Sequence, residues 1–187
     1  MRALTIITAC SRPENLPALA ESIGPGKAYF NLAWLISVDG GEYPESRVGN
    51  AQKNRALEHI GNNAGTEFPT WVYFLDDDNL IHPKFFPAIA QAIHDGPGRR
   101  GFIFSQDCNL FIRRASPETV RVDRIDLAQF VLRRDLIGSW RFDLPTYNSD
   151  GMLIEGLYQK HAGEFTFIDQ VLCYYNRLRW PESVIAQ

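Results

Sequence analysis

Residues 70–79 read TWVYFLDDDN, an apolar, β-forming run that stops at three adjacent carboxylates. Unbroken apolarity over such a short stretch marks a strand covered on both faces. The carboxylates that follow repel one another: two unit charges 4 Å apart interact by about 1 kcal/mol in water and about 4 kcal/mol at an effective dielectric near 20. In extended chain, residues i and i+2 project to one side, so Asp76 and Asp78 can face a common point while Asp77 faces away. Carboxylate oxygens at the mouth of a strand suit a hard divalent cation, Mg2+ or Mn2+, which keeps water and phosphate oxygens as its other ligands. The plainer alternative is an acidic turn capping the helix that follows.

Two further runs of the same kind precede it, LTIITA at 4–9 and LAWLISV at 32–38. Between the runs lie helical patterns. Residues 13–23 open with Pro-Glu, carry apolar side chains at 16, 19, 20 and 23, and end at Gly24 and Gly26. A second pattern covers 48–60 and stops at Gly61; a third covers 83–93, with Gly96-Pro97-Gly98 behind it. The order β-α-β-α-β-α predicts an α/β fold whose central sheet is mostly parallel, with right-handed crossovers. The second half is less regular: short strands are expected at 102–105, 109–113 and 119–123, a mixed segment at 125–137, a helix at 149–161, a strand at 165–168 and a loop-like aromatic tail.

The chain has 187 residues, 45% hydrophobic and 22% charged, which fits one folded domain. Its expected partition is a nucleotide-binding half, 1–100, and a half that shapes a second pocket, 101–187. A charge sum of -3 gives no basic footprint for nucleic acid. No apolar run is long enough to span a bilayer, and the N-terminus goes from a short apolar run directly into polar residues without a cleavage site. The three cysteines lack any CxxC spacing, which predicts reduced thiols and a cytoplasmic protein rather than disulfides or zinc.

Other polar residues gather at the carboxyl ends of the expected strands, where open α/β sheets bind ligands. Asp39 ends the second run and can accept from a base N–H or a ribose hydroxyl, although Asp-Gly is also a turn signal. Thr8 and Arg12 follow the first run, with the guanidinium suited to a phosphate. Asn54 and Arg55 sit near the start of the second helix, where a solvated helix face is the alternative. Asp150, in YNSDG at 147–151, is placed either to cap the last helix or to act as a general base. No GxGxxG or GxxxxGK[ST] occurs.

Taken together, LTIITACSRPENL, WLISVDGG, KNRALEHI, VYFLDDDNLIHPKFF, RIDLAQFVLRRDLIG and NSDGMLIEGLYQKHAGEFTFIDQVLCYYN resemble the GT-A glycosyltransferases. The resemblance is to glycosyltransferase family 2 and to glucuronyltransferase-like enzymes with a DDDN metal motif, and it spans nearly the whole chain. It implies that the triplet is a DXD motif in which Asp78 and Asp76 hold Mn2+ or Mg2+ on a sugar-nucleotide diphosphate. It also implies that Asp77 lies near the donor ribose or sugar, Asp39 on the uracil or ribose side, and Thr8 and Arg12 at first-loop nucleotide contacts. Asn54 and Arg55 would be the polar pair beside the diphosphate, and Asp150 the base of an inverting enzyme acting on an acceptor hydroxyl. The implied donor is a UDP-sugar and the implied acceptor a carbohydrate or other hydroxyl compound.

The chain departs from many relatives in pairing Ser149 with Asp150 at the base position, with Glu155 a turn further on. In place of a C-terminal His it offers Asn176, Arg177 and Arg179 to the phosphates. Asp126 is expected to face sugar or acceptor, or else to pair with Arg124. Tyr174, Tyr175 and Trp180 can cover an acceptor groove or a subunit contact. The competing functions are a nucleotidyltransferase and a non-catalytic sugar-nucleotide-binding protein.

Overall fold

The computed structural model describes residues 2–38, 48–62 and 71–179. Its elements, in chain order, are β1 (Ala3–Cys10), α1 (Leu16–Ile23), β2 (Asn31–Val38), α2 (Asn50–Asn62), β3 (Trp71–Phe74), β4 (Leu80–Ile81), α3 (Phe85–Asp95), β5 (Gly101–Asp107), β6 (Ile112–Arg113), β7 (Phe130–Arg133), α4 (Arg134–Ile137), α5 (Ser149–His161) and β8 (Phe165–Tyr174). One sheet takes in all the strands in the order β2-β1-β3-β7-β5-β8-β4, with β6 paired to β5. β1 is parallel to β2 and β3, and β5 is parallel to β8. β7 enters antiparallel between β3 and β5, so strands from both halves of the chain interleave in a single mostly parallel sheet.

The apolar runs supply both faces of this sheet. Leu4, Ile6, Trp71, Tyr73, Phe102 and Phe104 join α1 and α3 in one buried cluster, which includes Phe85, Phe86 and Ile89. The alternate residues Ile7, Val72, Phe74 and Ile103 join α2 and α5 in the other, through Leu57, Leu153 and Ile154. Period-2 side-chain alternation therefore converts an unbroken apolar stretch into two cores.

The second run departs from that expectation. β2 lies at the sheet edge, its burial alternates, and Ile36 and Val38 are 40% and 56% exposed. Leu32 and Trp34 still pack against one buried cluster and Leu35 against the other, but each is only partly covered because β2 has a strand on one side alone.

The second half differs more. Of 109–113, only Ile112–Arg113 is strand, and residues 119–123, which begin at the end of a 3-10 helix at Pro117–Thr119, contain no strand. Within 125–137 the chain makes a 3-10 turn, β7 and the short α4. The expected strand at 165–168 continues to Tyr174, because β5 pairs with it as far as Asp107 to Tyr174 and β4 pairs with its far end on the other side through Leu80 to Tyr174 and Ile81 to Cys173, where Leu172 and Cys173 are fully buried. Partner strands distant in sequence leave no local signal, which is why this part of the tail reads as loop. Cys10, Cys108 and Cys173 are unbridged and buried. Among the described residues no helix is long and apolar enough to cross a membrane.

Candidate active site

β1 and β3 run side by side and end together. The amide of Leu75 donates to the carbonyl of Ile7 at 2.9 Å, after which the chain turns, with Asn79 N–H reaching Asp76 O at 3.1 Å. This puts the acidic triplet beside the segment following β1. The three carboxylates then separate. Asp77, 1% exposed, turns into the protein: its Oδ2 accepts from Ser11 N at 2.6 Å, Ser11 Oγ at 3.0 Å and Arg12 N at 2.7 Å, and its Oδ1 accepts from both Nε and Nη2 of Arg12. Burial alone raises its pKa, but the Arg12 guanidinium and the two backbone N–H groups outweigh that and hold it below the usual carboxylate range.

Asp76 and Asp78 remain on the wall of a cavity of about 510 Å³. Asp76 meets Lys53 Nζ at 3.2 Å, and Asp78 meets Arg12 Nη2 at 2.9 Å, with Arg179 Nε 3.9 Å away. Burial and the neighbouring Asp76 push the Asp78 pKa up, against the pull of Arg12. The tail closes over this turn through Leu178 N–H to Asp78 O, 2.9 Å, and Asn176 N–H to Asn79 Oδ1, 2.7 Å.

With Asp77 turned inward, the described residues hold no cluster of three His, Cys, Asp or Glu side chains arranged for a metal ion. The remaining pair, Asp76 and Asp78, fits a Mg2+ or Mn2+ ion of the kind that takes one or two carboxylates and fills its shell with phosphate oxygens and water.

The start of α2 forms another part of the wall. Gly49, at φ 71, lies in the left-handed region, and a Cβ there would come within 2.3 Å of the Ala9 Cβ, so only glycine fits this approach of helix to strand. Helical spacing then sorts the first turns. Gln52 and Lys53 line the cavity, with Lys53 Nζ also donating to Val48 O at 2.8 Å. Asn50 and Asn54, four residues apart, face the segment before α5: Asn50 Nδ2 donates to the carbonyls of Asp143 (2.7 Å) and Thr146 (2.9 Å), and Asn54 makes reciprocal 2.8 Å bonds with the backbone of Phe142.

These bonds bring in the first turn of α5 and Asp150. Asp150 lines the cavity, and its Oδ1 accepts from Gly151 N–H at 2.8 Å. Burial, then the charge of Asp126, raises its pKa to about 6, although Lys53 and the Gly151 N–H favour the ionised form. Asp126 also lines the cavity. It caps a 3-10 turn, accepts from Ala128 N (3.0 Å) and Gln106 Nε2 (2.9 Å), and pairs with Arg113 at 3.5 Å rather than with Arg124. Burial and then Asp76 raise its pKa. Arg113 stacks over the ring of Tyr175, 4.9 Å from its centroid, and both line the cavity.

The residues singled out in the sequence thus have different fates. Arg12, Asp76, Asp77, Asp78, Asp126, Asp150, Asn176 and Arg179 converge on one cavity. Thr8 does not line it: fully buried within β1, it accepts from Trp34 Nε1 at 2.9 Å. Asn54 is a structural clamp, and Arg55 is on the exposed side of α2. Glu155 is held away by Val122 N–H at 2.8 Å, and Arg177 bonds Asn109 at 2.7 Å. Asp39 and Trp180 lie outside the described residues. Gln52 and Arg113 carry no motif, and Lys53 opens KNRALEHI without being singled out there; for Gln52 and Lys53, the helix phase counted from Gly49 is the signal that places them.

No family model matches the chain, and no curated protein does. Solved structures do match. The chain superposes on S. aureus TarS with a TM-score of 0.60 at 12% identity, with 92% of this chain but 36% of that one aligned. A glycosyltransferase involved in glycosylation of the major capsid of PBCV-1 gives 0.54 at 13% identity, covering 92% of each chain. Glucosyl-3-phosphoglycerate synthase from Mycobacterium tuberculosis, solved with Mn2+, UDP and glucosyl-3-phosphoglycerate, gives 0.58 at 17% identity, over 99% of this chain and 75% of that one. Identities this low speak to architecture alone, and that architecture is a GT-A-like α/β fold.

Proposed function

We propose that this chain is a metal-dependent glycosyltransferase that moves a sugar from a nucleoside diphosphate sugar, in the first instance a UDP-sugar, to an acceptor hydroxyl with inversion at the anomeric carbon. One observation carries the reading: the cavity at the carboxyl ends of β1 and β3 holds both the Asp76 and Asp78 carboxylates and the half-buried Asp150, whose pKa is raised to about 6. Asp150 is then ionised at neutral pH yet more basic than an ordinary aspartate, as a general base requires. It takes the acceptor's hydroxyl proton as that oxygen bonds to the anomeric carbon. The bond from that carbon to the β-phosphate oxygen breaks, and the nucleoside diphosphate leaves with the electron pair.

Asp76 and Asp78 are the residues to hold Mn2+ or Mg2+, and the bound ion would neutralise charge developing on the diphosphate. Lys53 and Arg179 bring further positive charge to the same wall. The Mn2+ and UDP in the mycobacterial synthase support a metal and a nucleotide donor for this fold.

The test is thermal stabilisation by UDP, GDP, CDP and their sugars, with and without Mn2+, in the wild type and Asp78→Ala. A nucleotide-specific shift that needs the metal and disappears in the variant is expected. If no nucleotide shifts the protein with metal present, the reading fails. Donor turnover separates an enzyme from a binding protein, and an NMR assignment showing that the product keeps the donor's anomeric configuration would exclude inversion.

A further inference from the structure

Gln52 is 5% exposed, sits in the first turns of α2 and lines the cavity. Its Oε1 is buried and has no hydrogen-bond partner among the described residues. Buried amide oxygens are almost always satisfied, and a bare one weakens the fold where an apolar side chain of similar size would not. The surroundings are closely built: the Cβ position of Gly49 lies 2.3 Å from the Ala9 Cβ and 3.9 Å from Gln52 Oε1. Ala9 and Gly49 have no side-chain donor to offer. The adjacent Lys53 ammonium is engaged by Val48 O and Asp76. Among the described residues nothing donates to Oε1, and Gln52 lines the cavity, so a donor on a bound molecule is a partner it can take.

Gln52 sits beside the carboxyl end of β1, at the edge of an open α/β sheet where ligands bind. Building on the nucleotide-sugar reading above, we propose that Gln52 is a specificity-determining residue whose Oε1 accepts a hydrogen from the donor's nucleoside, either a base imide N–H or a ribose hydroxyl. Uracil carries such an N–H at N3, where cytosine carries a lone pair. An acceptor opposed to that lone pair discriminates by leaving both groups unpaired.

The experiment is calorimetric titration of UDP, 3-methyl-UDP, 2′-deoxy-UDP, 3′-deoxy-UDP and CDP, in the presence of Mn2+, into wild type and Gln52→Met, with thermal melts of both ligand-free proteins. The wild type is expected to lose at least about tenfold in affinity for the analogue lacking the relevant hydrogen, base or ribose. Gln52→Met should bind UDP and that analogue alike, and its ligand-free melting temperature should equal or exceed that of the wild type, because an unsatisfied acceptor has been removed. UDP binding without a Gln52-dependent preference, or a variant that melts well below the wild type because Oε1 holds the fold, overturns this assignment and leaves the donor-site reading intact. Failure of every nucleoside diphosphate to bind overturns both.

Discussion

Asp77 and Asp150 are the same residue type on the wall of one cavity, and the protein treats them oppositely. Asp77 gathers five donor contacts from Ser11 and Arg12, so its charge is fully matched and its pKa is lowered. Asp150 receives one backbone N–H, lies near Asp126 and is raised to about 6. The first holds the β1 and β3 ends together; the second is left basic. What separates a strut from a reactive group is the donor count around it, which no residue type specifies in advance.

The sharpest way to break this comparison is Asp150→Asn. If Asp150 is the base, transfer falls by about 10²–10⁴-fold while nucleotide binding measured by calorimetry is retained. The wild-type rate should also rise with pH through about 6, as Asp150 loses its proton. Because folding raises this pKa, the native state binds a proton that the unfolded chain releases between about pH 4 and 6, so the contribution of Asp150 to stability declines as pH rises across that window. Asp150→Asn should therefore be more stable than wild type at pH 7, by up to about 3 kcal/mol, with the difference vanishing below about pH 4 in denaturant titrations.

Asp77→Ala tests the other side. It leaves the Arg12 guanidinium with Asp78 alone and the Ser11 and Arg12 N–H groups without their acceptor, and is expected to cost about 3 kcal/mol at neutral pH by denaturant unfolding. The sign with pH reverses here: stability from Asp77 is full above the unfolded pKa near 4 and is lost as pH falls through its lower native value. An Asp77→Ala protein of wild-type stability would mean that the Arg12 network carries nothing.

A smaller effect is expected from Asn54→Ala, which removes both bonds to the Phe142 backbone and should cost about 2 kcal/mol. Since that bond pair ties α2 to the segment leading into α5, transfer should fall with it as Asp150 loosens. Smallest is Glu155→Gln, which keeps a carbonyl acceptor for the Val122 N–H and should change stability by less than about 0.5 kcal/mol and leave transfer unchanged. A loss of transfer there comparable to that of Asp150→Asn would move the base to Glu155.

Much of the fold is legible in the residues. The runs around Leu4, Leu32 and Val72, with the helical spacings between them, give the first half, because each strand's own unbroken apolar run and each helix's own stripe encode it. The α5 limits at Ser149 and His161 are likewise readable. β7 is not, since Phe130–Arg133 pairs with β3 and β5 rather than with any sequence neighbour. At the site, the carboxylates of the triplet and Asp150 stand out as chemistry, and the structure brings them to one cavity.

The sequence by itself determined that this chain alternates strands and helices and carries a block of acid behind a buried strand, because side-chain period and charge density are local properties. Only the tertiary structure decided which acids are spent and which are available. Arg12 reaches Asp77 across 65 positions, and Asn54 reaches Phe142 across 88. Those distant donors consume some polar side chains as braces and leave Asp76, Asp78, Asp150 and Gln52 on the cavity wall. Hydrogen-bond satisfaction depends on what folding brings alongside, so it is settled in three dimensions rather than along the chain.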